Sequence, residues 1–185
     1  GQKDTETVKN YLNGTNDTSL NVSTSYTYNS DNLVATMTRE SGSGAPLELT
    51  TTYGYDSFGN VDTETISGPG ITSRTSTMSY DTRGQFATTV TNALSHSETR
   101  VYDDRFGIMT SQTDPNSLTT TWTIDDFGRV TLETRPDSTT AATSYRLESS
   151  GSVPDAAYYT QAVVSGAPPA RVFYDELGRE VSKRT

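Results

Sequence analysis

Trp122-Thr123-Ile124-Asp125-Asp126-Phe127-Gly128-Arg129-Val130-Thr131-Leu132 is the stretch that decides the fold. An Asp opening a four-residue turn that Gly closes marks a type I turn, because the Asp carboxylate accepts bonds from turn amides. A Gly in the left-handed region then completes a three-residue hairpin loop with a bulge. With the turn at Asp125–Gly128, Asp125 faces Arg129, Ile124 faces Val130, and Trp122 faces Leu132. These four apolar side chains share one face, and Thr121, Thr123, Thr131 and Glu133 alternate with them. Turn chemistry and hydrophobic alternation therefore specify one register, as a hairpin requires.

The phrase recurs. It reads as an aromatic or apolar residue, an Asp, two variable residues, a Gly and a nearby apolar residue. Its copies begin at Tyr55-Asp56 with Gly59, Tyr80-Asp81 with Gly84, Tyr102-Asp103 with Gly107, Ile124-Asp125 with Gly128, and Tyr174-Asp175 with Gly178. A degraded copy, Tyr28-Asn29-Ser30-Asp31-Asn32-Leu33, reads as one residue short. It puts Asn32 where Gly is usual, and Asn tolerates the left-handed conformation well among non-glycines. The same construction sets Tyr55 opposite Val61 and Tyr80 opposite Phe86. One extra residue between Asp103 and Gly107 demands a longer loop there. In the last copy Tyr174 would face Glu180 and Phe173 would face Val181, so either the register shifts by one or the hairpin buries its other face.

Equivalent positions fall 27, 25, 22 and 22 residues apart from Tyr28 to Ile124, and the next step, to Tyr174, is 50. Two strands and a return connection fill roughly 20–30 residues, the size of one repeat unit. The long step therefore holds a lost repeat or an insert. Strands are expected at Thr143–Glu148 and Ala157–Val164 around a Ser- and Gly-containing loop, followed by the extended Pro168-Pro169 connection. The organisation expected is a polar segment over 1–21, frayed or needing a partner strand, then repeat hairpins over 22–140. An insert hairpin and Pro-rich connection follow over 141–170, and a truncated terminal repeat over 171–185. Ser41–Pro46, Ser67–Gly70 and Asp114-Pro115-Asn116 read as turns.

Helical periodicity is nearly absent, and period-two alternation is common. Only 31% of the 185 residues are hydrophobic, against about 45–50% on a slightly wider count for an ordinary globular domain. Aromatic and β-branched residues are regularly placed, which argues against disorder. A thin sheet with one face partly buried and the other wet fits both facts. The net charge of −9 disfavours nucleic acid and anionic membrane surfaces. No apolar run approaches the roughly 20 residues that span a bilayer. The chain has no cysteine, which removes disulfides and thiol chemistry. It begins with Gly, and the simplest reading is an excised fragment whose targeting signal lies outside it.

The repeated Tyr-Asp-x-x-Gly-Arg/Asn followed by an apolar residue resembles the YD repeat of the Rhs family. That family includes bacterial polymorphic toxins, the B and C components of insecticidal toxin complexes, and the animal teneurins. The resemblance covers about residues 22–185. It implies an all-β architecture in which antiparallel hairpins add side by side into a curved or spiralling sheet, a section of a hollow shell. In bacterial members the shell encloses a toxic C-terminal segment, and in teneurins it belongs to an adhesion protein. The family's C-terminal cleavage motif is missing, and Asp114-Pro115 does not match it. Neither autoproteolysis nor the toxin is carried over.

Each functional reading competes with an architectural one. Tyr28, Tyr55, Tyr80, Tyr102 and Tyr174 could stack on sugar rings, but spacing that follows the turn favours cross-strand packing. Turn aspartates could bind calcium, yet one or two per turn fall short of the six to eight oxygens that calcium takes. His96 follows Ser95, but adjacent strand residues point to opposite faces, and no nucleophile elbow is present. One histidine and no cysteine leave zinc without ligands. No carboxylate pair stands out for sugar hydrolysis. Asn13, Asn16 and Asn21 open glycosylation sequons that matter only in a eukaryotic secreted protein.

The expectation is a non-enzymatic structural section of a secreted or surface bacterial shell that encloses or presents a C-terminal effector, with no cofactor or metal. The alternative is a glycan- or receptor-binding adhesion module on the same repeats. The expected partners are the remainder of a larger polypeptide and, through exposed strand edges, other copies of the chain.

Overall fold

The computed structural model describes residues 2, 4–8, 11–12, 15–16, 22–40 and 47–185, with the side chains of 11–12 and 15–16 left aside. Sequons Asn13 and Asn21, the Asn16 side chain and the Ser41–Pro46 turn lie outside these residues. Among the described residues every regular element is a strand. Two units divide the chain, Gly1–Ser97 and Glu98–Thr185.

The first unit holds β1 (Thr5–Val8), the two-residue β2 (Tyr11–Leu12) and β3 (Thr15–Asn16), and β4 (Val22–Tyr28). It continues through β5 (Val34–Arg39), β6 (Leu49–Tyr55), β7 (Val61–Gly68), β8 (Ile71–Tyr80) and β9 (Ala87–Thr91). β1 pairs with β4, so the strand near the N-terminus has its partner within the chain. From β4 to β9 each strand pairs antiparallel with the next.

The second unit begins within β10 (Ser97–Tyr102) and carries β11 (Met109–Thr113), β12 (Thr119–Ile124), β13 (Val130–Thr134) and β14 (Thr140–Leu147). β15 (Tyr158–Val164), β16 (Ala170–Tyr174) and β17 (Glu180–Arg184) complete it. Here too, consecutive strands pair antiparallel from β10 to β17. The chain is thus all-β and built of antiparallel hairpins laid side by side in sequence order.

Every repeat hairpin carries a second irregularity that the turn chemistry did not foretell. One residue past the aromatic–apolar pair the register slips, leaving an extra residue on the returning strand. Such a bulge bends the strand and increases its twist. Ile124 faces Val130 as expected, but beyond the bulge Trp122 faces Glu133 and Leu132 faces Thr123. Phe173 likewise faces Ser182, not Val181. Tyr174 still faces Glu180, the offset seen at Tyr55 and Val61, so the last hairpin keeps the common register.

The bulged residue is Thr88, Thr110 or Thr131 in three hairpins, and its hydroxyl donates to the carbonyl across the strand, at Ser79, Val101 and Thr123. Two loop lengths also differ from expectation. Tyr28 faces Val34 with the same closing bonds as the Tyr55 copy, so the first copy is full length. Tyr80 faces Ala87, not Phe86, because Gln85 lengthens that loop after its Gly.

The opposite ends of the strands turn too. Asn92–His96, Asp114–Leu118 and Arg135–Thr139 close with the hydrogen bonds of the repeat turns, and Ser95, Ser117 and Ser138 take the left-handed position. In the first unit Pro69-Gly70 joins β7 to β8, with Gly70 at φ 72°.

Side-chain burial is sparse. Among the described residues only Val153, Phe173, Thr51 and Asp175 are buried. The chain leaves 12,219 Å² to water, against about 8,700 Å² for a compact protein of this mass. Cohesion therefore rests on the strand ladder and on cross-strand pairs. Threonine hydroxyls meet across strands at Thr27–Thr36, Thr38–Thr50, Thr65–Thr75 and Thr113–Thr119, at 2.7–3.1 Å. Such pairs contribute a few tenths to about 1 kcal/mol each.

Candidate functional site

The repeated turns each place an Asp or Asn side chain over their own backbone amides. At Asp125 the turn closes by Asp125 N–H to Arg129 C=O (2.9 Å) and Gly128 N–H to Asp125 C=O (3.0 Å). Asp125 Oδ1 accepts from the amides of Phe127 and Arg129, and Oδ2 accepts from Arg129 Nε at 2.7 Å. Asp175 repeats the set with Leu177 and Arg179. Asp56 does so with Phe58 and Asn60, whose amide side chain replaces the arginine. Asn29, Asn92 and Asp114 accept the same amide pair. The longer turn at Tyr102 pairs Asp103 with Arg105 instead.

These bonds favour the ionised carboxylate. The Arg129 side chain holds Asp125 below the ordinary Asp range, and Arg105 does the same for Asp103. At Asp175 the Arg179 amide leads. At Asp56 partial desolvation opposes the shift, but the Asn60 and Phe58 bonds outweigh it and the carboxyl stays low. All of this is turn capping, and it consumes the oxygens a metal would need. Among the described residues no three His, Cys, Asp or Glu side chains gather as metal ligands.

The repeat tyrosines reach across hairpins. Tyr55 Oη donates to Val34 C=O at 2.7 Å, and Tyr80 Oη donates to Val61 C=O at 3.0 Å. Val34 and Val61 are the residues facing the preceding copy's tyrosine. Each of these hydroxyls thus ties one hairpin to the residue beside the bulge of the hairpin before it. Asn60 adds a second tie, donating to Gly84 C=O at 2.8 Å.

Turn packing explains two of the glycines. Gly84 has φ 67°, and a Cβ there would stand 2.5 Å from the Phe58 ring. Gly128 has φ 78°, and its Cβ would stand 2.8 Å from the Phe106 ring. In these two pairs the residue before Gly in one turn lies on the Gly of the next. The link is absent at Phe127, which is 78% exposed and has the Arg129 guanidinium 5.1 Å from its ring centroid.

It is absent because the next turn at that end of the strands is the insert. Glu148 N–H to Ala157 C=O closes the loop where a repeat turn would close. The 50-residue step therefore holds a hairpin whose turn has been replaced. The loop carries buried Val153, beside which Glu148 accepts from the Ser150 amide and hydroxyl. That hydroxyl, and then the amide, keep Glu148 below its ordinary range. Leu147, Glu148, Ser150, Ser152, Tyr159 and Arg171 are among the residues bordering an open recess of about 490 Å³.

His96 is exposed in its turn, with Nδ1 3.5 Å from Asn92 Nδ2, and Ser95 takes the turn's left-handed position at φ 63°. The structure ties Tyr55 and Tyr80 to the preceding hairpin, sets Gly84 and Gly128 against the preceding turn's Phe, keeps Asp56, Asp125 and Asp175 within their own turns, and places Trp122 and Ile124 on one strand. The sequence reading placed the turn at Asp114 but missed those at Asn92–His96 and Arg135–Thr139, although Thr91, Thr113 and Thr134 each precede such a turn by the same spacing.

No family model matches this sequence, and no curated protein matches it. Solved structures do. The chain superposes on the crystal structure of TcdB2-TccC3-Cdc42 with a TM-score of 0.57 at 9% identity, over 98% of its length and 11% of that chain. TcdB2-TccC3 gives 0.55 at 10% identity, over 97% and 11%. TcdB2-TccC3 without its hypervariable C-terminal region gives 0.54 at 12% identity, over 96% and 12%. The chain spans about a ninth of the length of these toxin-complex chains and shares their fold over nearly all of its own.

Proposed function

We propose that this chain is a section of the wall of a YD-repeat shell in a secreted or surface bacterial protein, and that the shell encloses or presents a C-terminal effector. The observation that carries this reading is the hydroxyl tie from Tyr55 to Val34 and from Tyr80 to Val61. A motif that binds its own hairpin to the preceding one is a device for extending a wall. The sparse burial fits the same role, since a wall is stabilised along its ladder and not by a thick core. The likeness to chains of TcdB2-TccC3, one of them solved without a hypervariable C-terminal region, supports the effector part. No residue is assigned to catalysis, because the turn carboxylates act as caps.

Limited proteolysis of the full parent polypeptide tests this. The C-terminal segment should resist protease in the intact protein. It should become sensitive when Tyr80→Phe and Gly84→Ala together loosen the wall. A C-terminal segment cut equally fast in both proteins contradicts the enclosure.

A further inference from the structure

Three arginines of the second unit, Arg146, Arg171 and Arg184, depart from the rule the others follow, and the last two stand together. Arg100, Arg105, Arg129, Arg135 and Arg179 each sit on a carboxylate. Arg171 and Arg184 have no carboxylate partner among the described residues. They are also directly opposed, on β16 and β17. Like charges so placed on neighbouring strands repel.

Both are nonetheless held in place. Arg171 lies over the Tyr159 ring at 5.4 Å and donates through Nε to Gln161 Oε1 at 2.7 Å. Arg184 lies over the buried Phe173 ring at 5.3 Å and donates through Nη2 to Ser152 C=O at 3.0 Å. Aromatic support fixes a guanidinium without neutralising it. Two fixed forks with donors to spare match a carboxylate bidentately.

Both guanidinium groups border the recess beneath the insert loop. Of the other lining residues Leu147, Pro169 and Phe173 are apolar, and the rest are polar or acidic. Ser150 and Ser152 supply hydroxyls, and ionised Glu148 supplies an acceptor. Glu148 disfavours a dianion such as phosphate and suits a ligand with hydroxyl donors beside a single negative charge. A volume of about 490 Å³ exceeds what a bare ion needs and accommodates a sugar ring.

We propose that the insert recess binds an acidic sugar of the hexuronic-acid class, with its carboxylate between Arg171 and Arg184 and its ring hydroxyls toward Glu148 and Ser150. This site is additional to the wall role and does not depend on it.

Calorimetric titration of the 185-residue chain with methyl glucuronide is the test, with methyl glucoside, acetate and inorganic phosphate as comparators. Saturable binding of the glucuronide is expected, with none of the glucoside and weaker binding of the two simple anions. Arg171→Gln and Arg184→Gln should each weaken it about tenfold or more, with the circular dichroism of the fold unchanged. Arg171→Lys keeps the charge but loses the fork, and should also weaken binding. Arg135→Gln, at a separate ion pair, should not. Failure of the glucuronide to bind, equal affinity for the glucoside or phosphate, or full affinity in folded Arg171→Gln and Arg184→Gln would overturn the proposal.

Discussion

The turns at the two ends of the strands share one backbone and differ in what surrounds it. Asp125–Arg129 and Asp114–Leu118 close with the same pair of main-chain bonds and cap the same two amides with an Asp oxygen. The fourth residue is left-handed in both, at φ 78° for Gly128 and 64° for Ser117. One end uses Gly and the other tolerates Ser. Left-handed geometry alone therefore does not demand glycine. At Gly84 and Gly128 the demand comes from the preceding turn, whose Phe58 or Phe106 occupies the space a Cβ would need. At these two turns the glycine records contact between hairpins as much as conformation within one.

Breaking that contact should have the largest effect. Gly84→Ala and Gly128→Ala combine the left-handed penalty of about 1–2 kcal/mol with overpacking of about 1–3 kcal/mol. A loss of about 2–5 kcal/mol in denaturant unfolding is expected. Ser117→Gly, at the other end of the strands, should be neutral or stabilising by up to about 1 kcal/mol, and a loss there would contradict the distinction drawn between the two ends.

Next in size is the tyrosine tie. Tyr80→Phe keeps the ring and removes the bond to Val61 C=O. It should cost about 1 kcal/mol, and Tyr55→Phe should cost a similar amount through Val34. No change in either would reduce the tyrosines to packing alone.

Acid titrates the caps. Asp56, Asp103, Asp125, Asp137 and Asp175 all have lowered values in the fold. A depressed folded value contributes stability that is present above the unfolded value of about 3.9 and is lost as pH falls through the folded one. Stability should therefore be flat across neutral pH and decline below about pH 4. Thermal melts from pH 7 to 2 check this, and a decline already under way at pH 6 would contradict it.

The smallest effect expected is at the turn ion pairs. The Arg129 side chain is 43% exposed where it meets Asp125, so Arg129→Gln should cost well under about 1 kcal/mol and less at high salt. A larger loss would mean that stacking on Tyr145, 4.0 Å from ring centroid to guanidinium, also stabilises the edge.

Much of the fold was legible because the repeat turn is local chemistry. Asp and Gly fix the loop, and the loop fixes the first facing pair, Ile124 with Val130. The bulge one step further was not legible. It depends on how the returning strand twists against its neighbour, and its residue is Ala35, Asp62, Thr88, Thr110, Thr131 or Val181, with no common type. The Asp114 turn was legible through its Asp-Pro-Asn, whereas the turns at Ser95 and Ser138 were missed because Ser is a weak turn signal beside Gly. Arg171 and Arg184 are 13 residues apart in sequence and 32 separate Ser152 from Arg184, so only the register brings them to one recess.

The most direct measurement is a double-mutant cycle between Phe106 and Gly128, read by denaturant unfolding. If the repeat glycine serves contact between hairpins, Gly128→Ala should be costly in the native background. In the Phe106→Ala background it should cost only the left-handed penalty of about 1–2 kcal/mol. An equal cost for Gly128→Ala in both backgrounds would show that the glycine answers to its own turn alone, and would contradict the account.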